Sequence, residues 1–268
     1  MILNLAQPNL PSSYFFSFLR ILNSFNIIAG EFPWQAAILK KEGSDSVYVC
    51  AGSLIDRSHV LTAAHCVEGY DATILRIRLG EWDVNRDTEF YSHLEYDAVG
   101  IAVHPDFYSG NLINDVAIIR MLYPIDFSKT PHISPICLPN PVQRFVGSRC
   151  WVSGWGKNAV GKKGKYQNLL KKIDVPVIPR RGCQDILRNT RLGIDYTLHP
   201  GMLCAGGEPE RDACKGDGGG PLSCRDRDGQ YVLTGIVSWG IGCGQPGVPG
   251  IYVNVEYYVG WIREMTES

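Results

Sequence analysis

Residues 212–222 read DACKGDGGGPL, and this stretch decides how the chain is interpreted. It holds an uninterrupted run of glycines from Gly218 to Gly220, directly before Pro221. Because glycine has no Cβ, such a run lets the backbone approach a ligand closely. The stretch therefore predicts a loop that offers main-chain N–H groups to a bound molecule.

Two segments upstream add a histidine and an aspartate. His65 ends a run of small residues in LTAAHC (residues 61–66), sixteen positions after Cys50, although a lone histidine is more often structural. Asp115 enters an otherwise apolar run in NDVAII (residues 114–119). A buried carboxylate needs a partner, and a histidine N–H is a suitable one. The pattern thus favours a pair between His65 and Asp115.

Composition excludes several classes of protein. The chain has 268 residues, of which 45% are hydrophobic and 20% charged, so disorder is excluded as the main state. The formal net charge is −1, which gives no basic surplus for nucleic acid or an anionic membrane. No run of 18 apolar residues is present, so no transmembrane helix is predicted.

Short β-rich runs recur from about Asn26 onward, bounded by Gly, Pro, Asn and Asp. The predicted strands are Val47–Leu54, Val60–Thr62, Thr73–Leu79, Ala98–Val103, Val116–Met121, Lys172–Val177 and Tyr231–Trp239. Two helices are predicted, Arg180–Arg188 and a C-terminal one from about Glu256 to Glu264. The order indicates an all-β barrel or sandwich closed by a terminal helix.

Nine cysteines stand at positions 50, 66, 137, 150, 183, 204, 214, 224 and 243. No Cys-x-x-Cys pair occurs, which argues against a zinc ribbon. The wide spacing favours long-range disulfides in an oxidising compartment, with buried free thiols in a cytosolic protein as the alternative. The odd number leaves one cysteine without a partner in this chain.

Residues 1–26 fit a secretion signal poorly, because prolines and polar residues interrupt their apolar patches. We interpret them as an irregular N-terminal segment, either a mispredicted or truncated leader or a genuine non-cleaved tail. The folded domain is placed at residues 27–268.

The three segments around His65, Asp115 and Gly218, in this order, resemble the trypsin-like serine proteases of the chymotrypsin fold. The resemblance runs from about Ile27 to Ile262 and includes GEFPWQ at 30–35, SGWG at 153–156 and SWG at 238–240. It implies an all-β fold of two six-stranded antiparallel Greek-key barrels with a C-terminal helix.

The resemblance also implies roles for single residues. His65 matches the general base, and Asp115 matches the carboxylate that fixes the tautomer of that histidine. Gly216 and Gly218 match the residues whose N–H groups form the oxyanion hole. Asp217 matches the aspartate that receives the freed N-terminal amine when a zymogen is activated.

The chain departs from the family at the nucleophile. The family motif is Gly-Asp-Ser-Gly-Gly-Pro, whereas residues 216–221 read GDGGGP, with Gly218 in place of the serine. Glycine cannot attack a carbonyl, so no acyl-enzyme forms. Ser223 and Ser238 lie nearby in sequence, but family geometry aims neither at the scissile carbonyl. We therefore expect a homologue that binds without cutting; a sequence error at Gly218 is the alternative.

The resemblance implies that the specificity pocket of the family is retained. Asp212, six residues before Gly218, matches the pocket-floor aspartate that selects Arg or Lys, and Gly240 and Gly250 match the open pocket walls. A buried aspartate facing an empty slot should attract a cationic side chain. A relic of ancestry and a pocket still used for binding both remain open.

The same resemblance implies the disulfides Cys50–Cys66, Cys150–Cys224, Cys183–Cys204 and Cys214–Cys243. It leaves Cys137 unpaired in this chain. In many relatives that position bonds to an upstream region, so an absent upstream region is expected, with an intermolecular bond or a free thiol as the other options.

Two further expectations concern activation and metal. The dipeptide Arg20–Ile21 stands where relatives are cut on activation, but Asn23 and Ser24 replace the usual glycine pair. No cofactor and no metal site are predicted. The open alternative is calcium at the acidic loop Glu81–Glu89, whose equivalent binds calcium in some trypsins.

Residues 167–183 and 191–208, together with Gly218, resemble more specifically the arthropod clip-domain serine protease homologues, which include masquerade-like proteins and prophenoloxidase-activating cofactors. This resemblance implies a protein secreted into haemolymph that assists melanisation without cutting. Its expected partners are cascade proteases and prophenoloxidase, with no nucleic acid and no membrane span. The alternatives are an active endopeptidase that cleaves after Arg or Lys, and a pattern-recognition or adhesive protein of microbial surfaces.

Overall fold

A computed structural model describes residues 30–43, 45–86, 90–157, 165–209 and 211–267. The predicted segment 1–26, with Arg20 and Ile21, lies outside them. Six strands of the first half close into an antiparallel barrel in the order β1-β2-β3-β6-β5-β4. These strands are β1 Gln35–Glu42, β2 Asp45–Leu54, β3 His59–Thr62, β4 Leu75–Leu79, β5 Leu94–Val103 and β6 Ala117–Met121.

A second closed antiparallel barrel follows, in the order β10-β11-β12-β9-β8-β7. Its strands are β7 Arg149–Gly154, β8 Lys171–Ile178, β9 Met202–Gly206, β10 Pro221–Arg225, β11 Tyr231–Trp239 and β12 Pro249–Asn254. Closure removes the exposed sheet edges on which strands of other chains could pair. The two six-stranded barrels confirm the predicted fold class.

Within the described residues, three α-helices lie outside the barrels: α1 Ala64–Val67, α2 Arg180–Arg188 and α3 Val255–Glu267. In α3, Val255, Tyr258 and Ile262 are buried in the same apolar cluster as the first barrel. Their i, i+3, i+7 spacing places them on one helical face. No helix among the described residues has the length and apolar character needed to cross a membrane.

The predicted strands overlap the observed ones, and the starts of β2, β4 and β5 differ from the prediction by two or more residues. β4 begins at Leu75 instead of Thr73, because the Asp71 side chain accepts hydrogen bonds from the N–H and hydroxyl of Thr73 and caps a short 3₁₀ helix. β5 begins four residues before Ala98, where its extra residues pair with β4. Five strands were not predicted, namely β1, β7, β9, β10 and β12.

The two barrels meet at a polar seam. The Ser153 hydroxyl of β7 donates a 2.6 Å hydrogen bond to Gln35 Oε1 of β1, and both residues are buried. Nearby, the Ala51 N–H donates to the Gly218 carbonyl at 2.9 Å. The loops that carry the predicted site residues therefore open onto one cleft between the barrels.

Four disulfides hold these loops. The pairs are Cys50–Cys66, Cys150–Cys224, Cys183–Cys204 and Cys214–Cys243, the same four that the resemblance implied. Each closed loop contributes typically about 2–4 kcal/mol by restricting the unfolded chain. Cys137 is a free, exposed thiol. The alternative of buried free thiols does not apply to the eight paired cysteines.

Candidate functional site

His65 and Asp115 form the pair that the sequence predicted. The His65 Nδ1 lies 2.8 Å from Asp115 Oδ2, and the His65 main-chain N–H donates to Asp115 Oδ1 at 2.8 Å. The Ser238 hydroxyl also donates to Asp115 Oδ2. Because a carboxylate only accepts, Nδ1 carries the hydrogen of this bond and Nε2 is left facing the cleft.

Asp115 is held in place by its neighbour Asn114. Asn114 has a left-handed backbone (φ 58°), which Asn tolerates better than most residues. Its side-chain amide donates to the Asp106 carbonyl at 2.8 Å and accepts from the Tyr258 hydroxyl at 2.8 Å. Helix α3 thus supports the loop that positions the buried carboxylate.

Gly218 faces the free nitrogen of His65. A Cβ added at position 218 would lie 3.1 Å from His65 Nε2 and 3.7 Å from Cys50 Sγ. A serine side chain here would therefore start beside the imidazole nitrogen that accepts a proton in a Ser–His pair. Glycine supplies no hydroxyl at this point.

The main-chain donors predicted for an oxyanion hole, Gly216 and Gly218, both line the cleft. Within the described residues, neither N–H donates a hydrogen bond to another protein group. Gly216 has a φ of +105°, in the region that favours glycine. Both N–H groups are therefore available to a ligand.

Two tyrosines that sequence reasoning missed fix the position of Gly216. The Tyr48 hydroxyl donates a 2.8 Å hydrogen bond to the Gly216 carbonyl. A Cβ at Gly216 would meet the Tyr166 ring at 2.7 Å, and the Lys157 ammonium lies 5.2 Å from the centre of that ring. No motif marks these tyrosines, so only the barrel geometry reveals them.

Asp217 lies beneath the same loop and accepts main-chain hydrogen bonds. Oδ1 accepts from the Gly156 N–H at 2.8 Å and Oδ2 from the Cys214 N–H at 2.9 Å. Burial raises the pKa of Asp217, and these two donors oppose the rise. Among the described residues, no cation lies within ion-pair distance of Asp217. Gly154 and Gly156 leave no room for a Cβ beside it, which explains the SGWG segment.

Asp212 lies at the inner end of the cleft, between the two walls that the sequence predicted. Its Oδ2 accepts from the Gly244 N–H at 3.0 Å, whereas its Oδ1 is buried without a hydrogen-bond partner. A Cβ at Gly250 would lie 2.9 Å from that free oxygen. Desolvation raises the pKa of Asp212 to about 6, against the main-chain donors of Gly244 and Ala213.

One cavity of about 930 Å³ joins these groups. Its lining includes His65, Asp212, Gly216, Gly218, Gly240 and Gly250. The structure therefore brings the predicted histidine, main-chain donors and pocket residues to a single cleft. Asp115 and Asp217 support this cleft from behind.

Comparison with known proteins gives the family of the chain. The sequence profile of the Trypsin family matches residues 21–262. The chain belongs to the trypsin family. In this member of the trypsin family, residues 216–221 read GDGGGP.

Three similar relatives are insect proteins. Phenoloxidase-activating factor 2 of Galleria mellonella is 47% identical over 247 residues, covering 88% of this chain and 80% of that protein. Inactive CLIP domain-containing serine protease A3 of Aedes aegypti is 48% identical over 87% of this chain and 48% of that protein. Inactive CLIP domain-containing serine protease A28 of Anopheles gambiae is 44% identical over 87% of this chain and 61% of that protein. These matches confirm the predicted resemblance to clip-domain homologues, and the chain spans only part of each relative.

In the acidic loop Glu81–Glu89, both carboxylate oxygens of Glu81 already face protein groups. Glu81 is buried, and its Oε2 lies 3.1 Å from both Arg78 Nη1 and His93 Nδ1. Its Oε1 accepts from the Trp82 N–H at 3.0 Å. A calcium ion would have to displace these donors, because hard cations need free carboxylate oxygens. Residues 87–89 lie outside the described residues.

Proposed function

We propose that the chain is a secreted, non-catalytic serine protease homologue that acts as a binding cofactor in an arthropod immune protease cascade. The observation that carries the proposal is Gly218, which faces His65 Nε2 without a nucleophile. The relatives named inactive proteases and phenoloxidase-activating factor support the class and the cascade.

Neither Ser223 nor Ser238 takes the place of the nucleophile. Ser238 directs its hydroxyl to Asp115, and Ser223 is fully buried in β10. Without a nucleophile, His65 and Asp115 are vestigial as a general base and its orienting carboxylate. The N–H groups of Gly216 and Gly218 remain as an oxyanion hole, but without an acyl-enzyme they act as binding groups.

Asp212 supports binding at the retained pocket. A buried carboxylate oxygen without a partner is costly, and a guanidinium or ammonium group would remove that cost. We therefore infer that the former substrate cleft serves as a protein-docking surface. Cascade proteases and prophenoloxidase are the proposed partners, in line with the names of the relatives.

Four disulfides fit an extracellular, oxidising setting, and haemolymph is the proposed location. The exposed Cys137 thiol is placed to bond an upstream region in a longer protein. Asp217 would be the acceptor of an N-terminal amine if the chain were cut near Arg20.

The test is reconstitution of phenoloxidase activation from purified prophenoloxidase and an active clip-domain protease, with and without this protein. We expect the protein to raise phenoloxidase activity while hydrolysing no arginyl peptide itself. Asp212→Ala should lower this cofactor effect, and Asp195→Ala, at an exposed aspartate that does not line the cleft, should leave it unchanged. Absence of any cofactor effect would contradict the proposal.

Two alternative functions predict different results in the same experiment. Hydrolysis of the arginyl peptide, abolished by His65→Ala, would establish an active endopeptidase instead. Cofactor inactivity combined with sedimentation of the protein on microbial cell walls would favour a pattern-recognition or adhesive protein.

A further inference from the structure

A disulfide lies beside the free ring nitrogen of His65. The His65 Nε2 is 3.6 Å from Cys66 Sγ, and the Cys50–Cys66 bond ties strand β2 to helix α1, which carries the histidine. Among the described residues, this is the one place where a histidine nitrogen and two cysteine sulfurs lie within 4.8 Å of one another. Because Nδ1 gives its hydrogen to Asp115, Nε2 is free to take a proton from a neighbouring molecule.

Gly218 leaves the approach to this disulfide open. A Cβ added at Gly218 would lie 3.7 Å from Cys50 Sγ and 3.1 Å from His65 Nε2, so the space in front of Gly218 borders both atoms. A thiol that enters this space contacts the disulfide and the imidazole together. Cys50 is 8% exposed and Cys66 is 3% exposed. A sulfur on a small, slender molecule therefore reaches the bond more easily than a sulfur on a folded protein surface.

We propose that the chain exchanges its Cys50–Cys66 disulfide with a low-molecular-weight thiol, with His65 as the base that accepts the thiol proton. The products are a mixed disulfide on Cys50 and a free thiol on Cys66. This activity goes beyond the cofactor role proposed above. It gives His65 a function that needs no side chain at position 218.

The exchange step balances in atoms and electrons. The incoming thiol gives its proton to His65 Nε2, and the resulting thiolate forms a new S–S bond with Cys50 Sγ. The bond between Cys50 and Cys66 breaks, and Cys66 Sγ leaves with the electron pair. It then takes the proton from Nε2, which is 3.6 Å away. One disulfide and one thiol are present before and after the step, so no further oxidant or reductant is needed.

The positions of the groups determine which sulfur is attacked. Cys50 Sγ borders the open space, whereas Cys66 Sγ lies against the nitrogen that has just been protonated. The imidazolium stabilises the departing Cys66 thiolate, and a stabilised thiolate leaves faster. Asp115, which accepts from Nδ1 at 2.8 Å, stabilises the charge on the ring. The mixed disulfide is therefore expected on Cys50.

The test follows the reaction of reduced glutathione with the folded, oxidised protein in a Cys137→Ser background, which removes the exposed free thiol. Samples are quenched in acid at early times, alkylated and mapped by mass spectrometry. Alkylated Cys66 reports opening of its disulfide, and the glutathione adduct reports the sulfur attacked. Cys214–Cys243 is the internal reference, because it is the more exposed bond and accessibility alone would make it react first. We expect the adduct at the histidine-linked bond to lie on Cys50.

His65→Ala is the decisive variant. At pH 7 it should lower the rate of opening of Cys50–Cys66, relative to that of Cys214–Cys243, about tenfold or more, because the general base is lost. At pH 9 this difference should shrink. A free thiol, whose pKa is ordinarily about 8.5, is then mostly thiolate and needs no base. A substitution that merely disturbed the structure would have the same effect at both pH values.

Gly218→Ala tests the approach to the disulfide. Its methyl group enters the open space, and the His65 ring needs to give by only a few tenths of an ångström. We expect the addition of glutathione to Cys50 to slow about fivefold or more, because access to the sulfur is reduced. Gly260→Ala is the matched control, since a Cβ there meets no atom within 4 Å, and it should leave the rate unchanged. Thermal unfolding verifies that each variant is folded.

Four results would overturn the inference. They are no opening of Cys50–Cys66, glutathione on Cys66 in place of Cys50, a relative rate that His65→Ala leaves unchanged, and a loss in His65→Ala that is equal at pH 7 and pH 9. None of them bears on the cofactor proposal, because reconstitution is carried out without an added thiol.

Discussion

The Tyr48 hydroxyl of strand β2 donates a 2.8 Å hydrogen bond to the carbonyl of Gly216, a residue 168 positions later in the chain. The bond crosses from the first barrel to the second. It ends on the glycine-rich loop that precedes strand β10. Burial, and after it the charge of Asp217, raises the pKa of Tyr48 well above its ordinary value, so the hydroxyl keeps its proton. One barrel therefore holds the main-chain donors of the other in place.

Replacing Tyr48 by phenylalanine removes this bond and leaves the Gly216 carbonyl without its donor. We expect the free energy of unfolding to fall by about 1 kcal/mol, the usual net worth of one hydrogen bond. Binding of arginyl peptides should weaken as well, because the Gly216 N–H loses its fixed direction. Urea unfolding and anisotropy measure both effects.

The matched control for that substitution is Tyr257→Phe. Tyr257 is 53% exposed and its hydroxyl makes no hydrogen bond to the described residues. The Tyr257→Phe substitution should leave the free energy of unfolding and the binding of arginyl peptides unchanged. Equal behaviour of the two variants would show that the Tyr48 bond does not position the loop.

Gly218→Ser introduces a hydroxyl-bearing side chain beside His65. Its Cβ would start 3.1 Å from His65 Nε2, and the N–H groups of Gly216 and Gly218 are free to bind an oxyanion. We expect labelling by a serine-reactive fluorophosphonate probe, and hydrolysis of an arginyl peptide raised about 10³-fold or more over the native chain.

The control for that gain is the double variant with His65→Ala, which should lose both labelling and turnover. The native protein should show neither. Labelling of the native protein would contradict its proposed inactivity. A Gly218→Ser variant that folds but is not labelled would show that the histidine and the main-chain donors are not arranged for catalysis.

Asp212 makes the stability of the native protein depend on pH. Its pKa is raised from 3.8 to about 6 in the fold, mainly by desolvation. Between pH 4 and 6 the folded state thus holds a proton that the unfolded state releases, so stability falls as pH rises through this range. Well above pH 6 the loss is complete, about 3 kcal/mol in order of magnitude.

The measurement is the difference in unfolding free energy between Asp212→Asn and the native protein, followed from pH 4 to pH 7. We expect the variant to be the more stable protein at pH 7 and the difference to shrink towards zero near pH 4. Asp217 is present in both proteins, and its charge adds to the rise in the pKa of Asp212. Asp195→Asn serves as the control and should show no such trend; a pH-independent difference for Asp212→Asn would contradict the raised pKa.

Site residues that belong to a short local motif could be predicted from the sequence. His65, Asp115, Asp212 and Gly218 each stand in a short segment whose neighbours mark it. Tyr48 could not be predicted, because its role depends on how β2 of one barrel lies against a loop of the other. That placement depends on strand register and barrel closure. Both are determined by contacts between residues far apart in the sequence.

The strands that were not predicted have a common physical reason. β12 begins with Pro249 and Gly250, two residues that weaken a strand pattern, and its next three residues are all buried. Without alternation of buried and exposed residues, the period-2 signal disappears.

The late start of β4 has a different reason. A 3₁₀ helix begins at Ala72, because the Asp71 side chain accepts a hydrogen bond from the backbone N–H of Thr73.

Cys137 should be the only thiol that reacts in the folded, oxidised chain. Its side chain is exposed, while its carbonyl is held by the Leu233 N–H at 2.9 Å. We expect one thiol per chain with a disulfide-exchange reagent and none in Cys137→Ser, with Tm unchanged. More than one reactive thiol would show that one of the four disulfides is not formed.

Glu81 is expected to act as a structural ion-pair partner rather than a calcium ligand. Arg78 and His93 both lie 3.1 Å from its Oε2, and its side chain is 1% exposed. Glu81→Gln removes the negative charge that these groups share, and should cost about 1–3 kcal/mol of unfolding free energy. Glu42→Gln, at an exposed pair with Lys40, should change stability within experimental error.

Calcium separates the two interpretations of Glu81. If Arg78 and His93 occupy its carboxylate, millimolar calcium and a chelator should give the same Tm for the native protein. A ligand that binds only the folded state raises Tm, so a calcium-dependent rise that is lost in Glu81→Gln would establish a metal site instead. The absence of a rise in both proteins, together with the loss of stability in Glu81→Gln, would follow only from the ion-pair arrangement, because an unused acidic loop would tolerate the substitution.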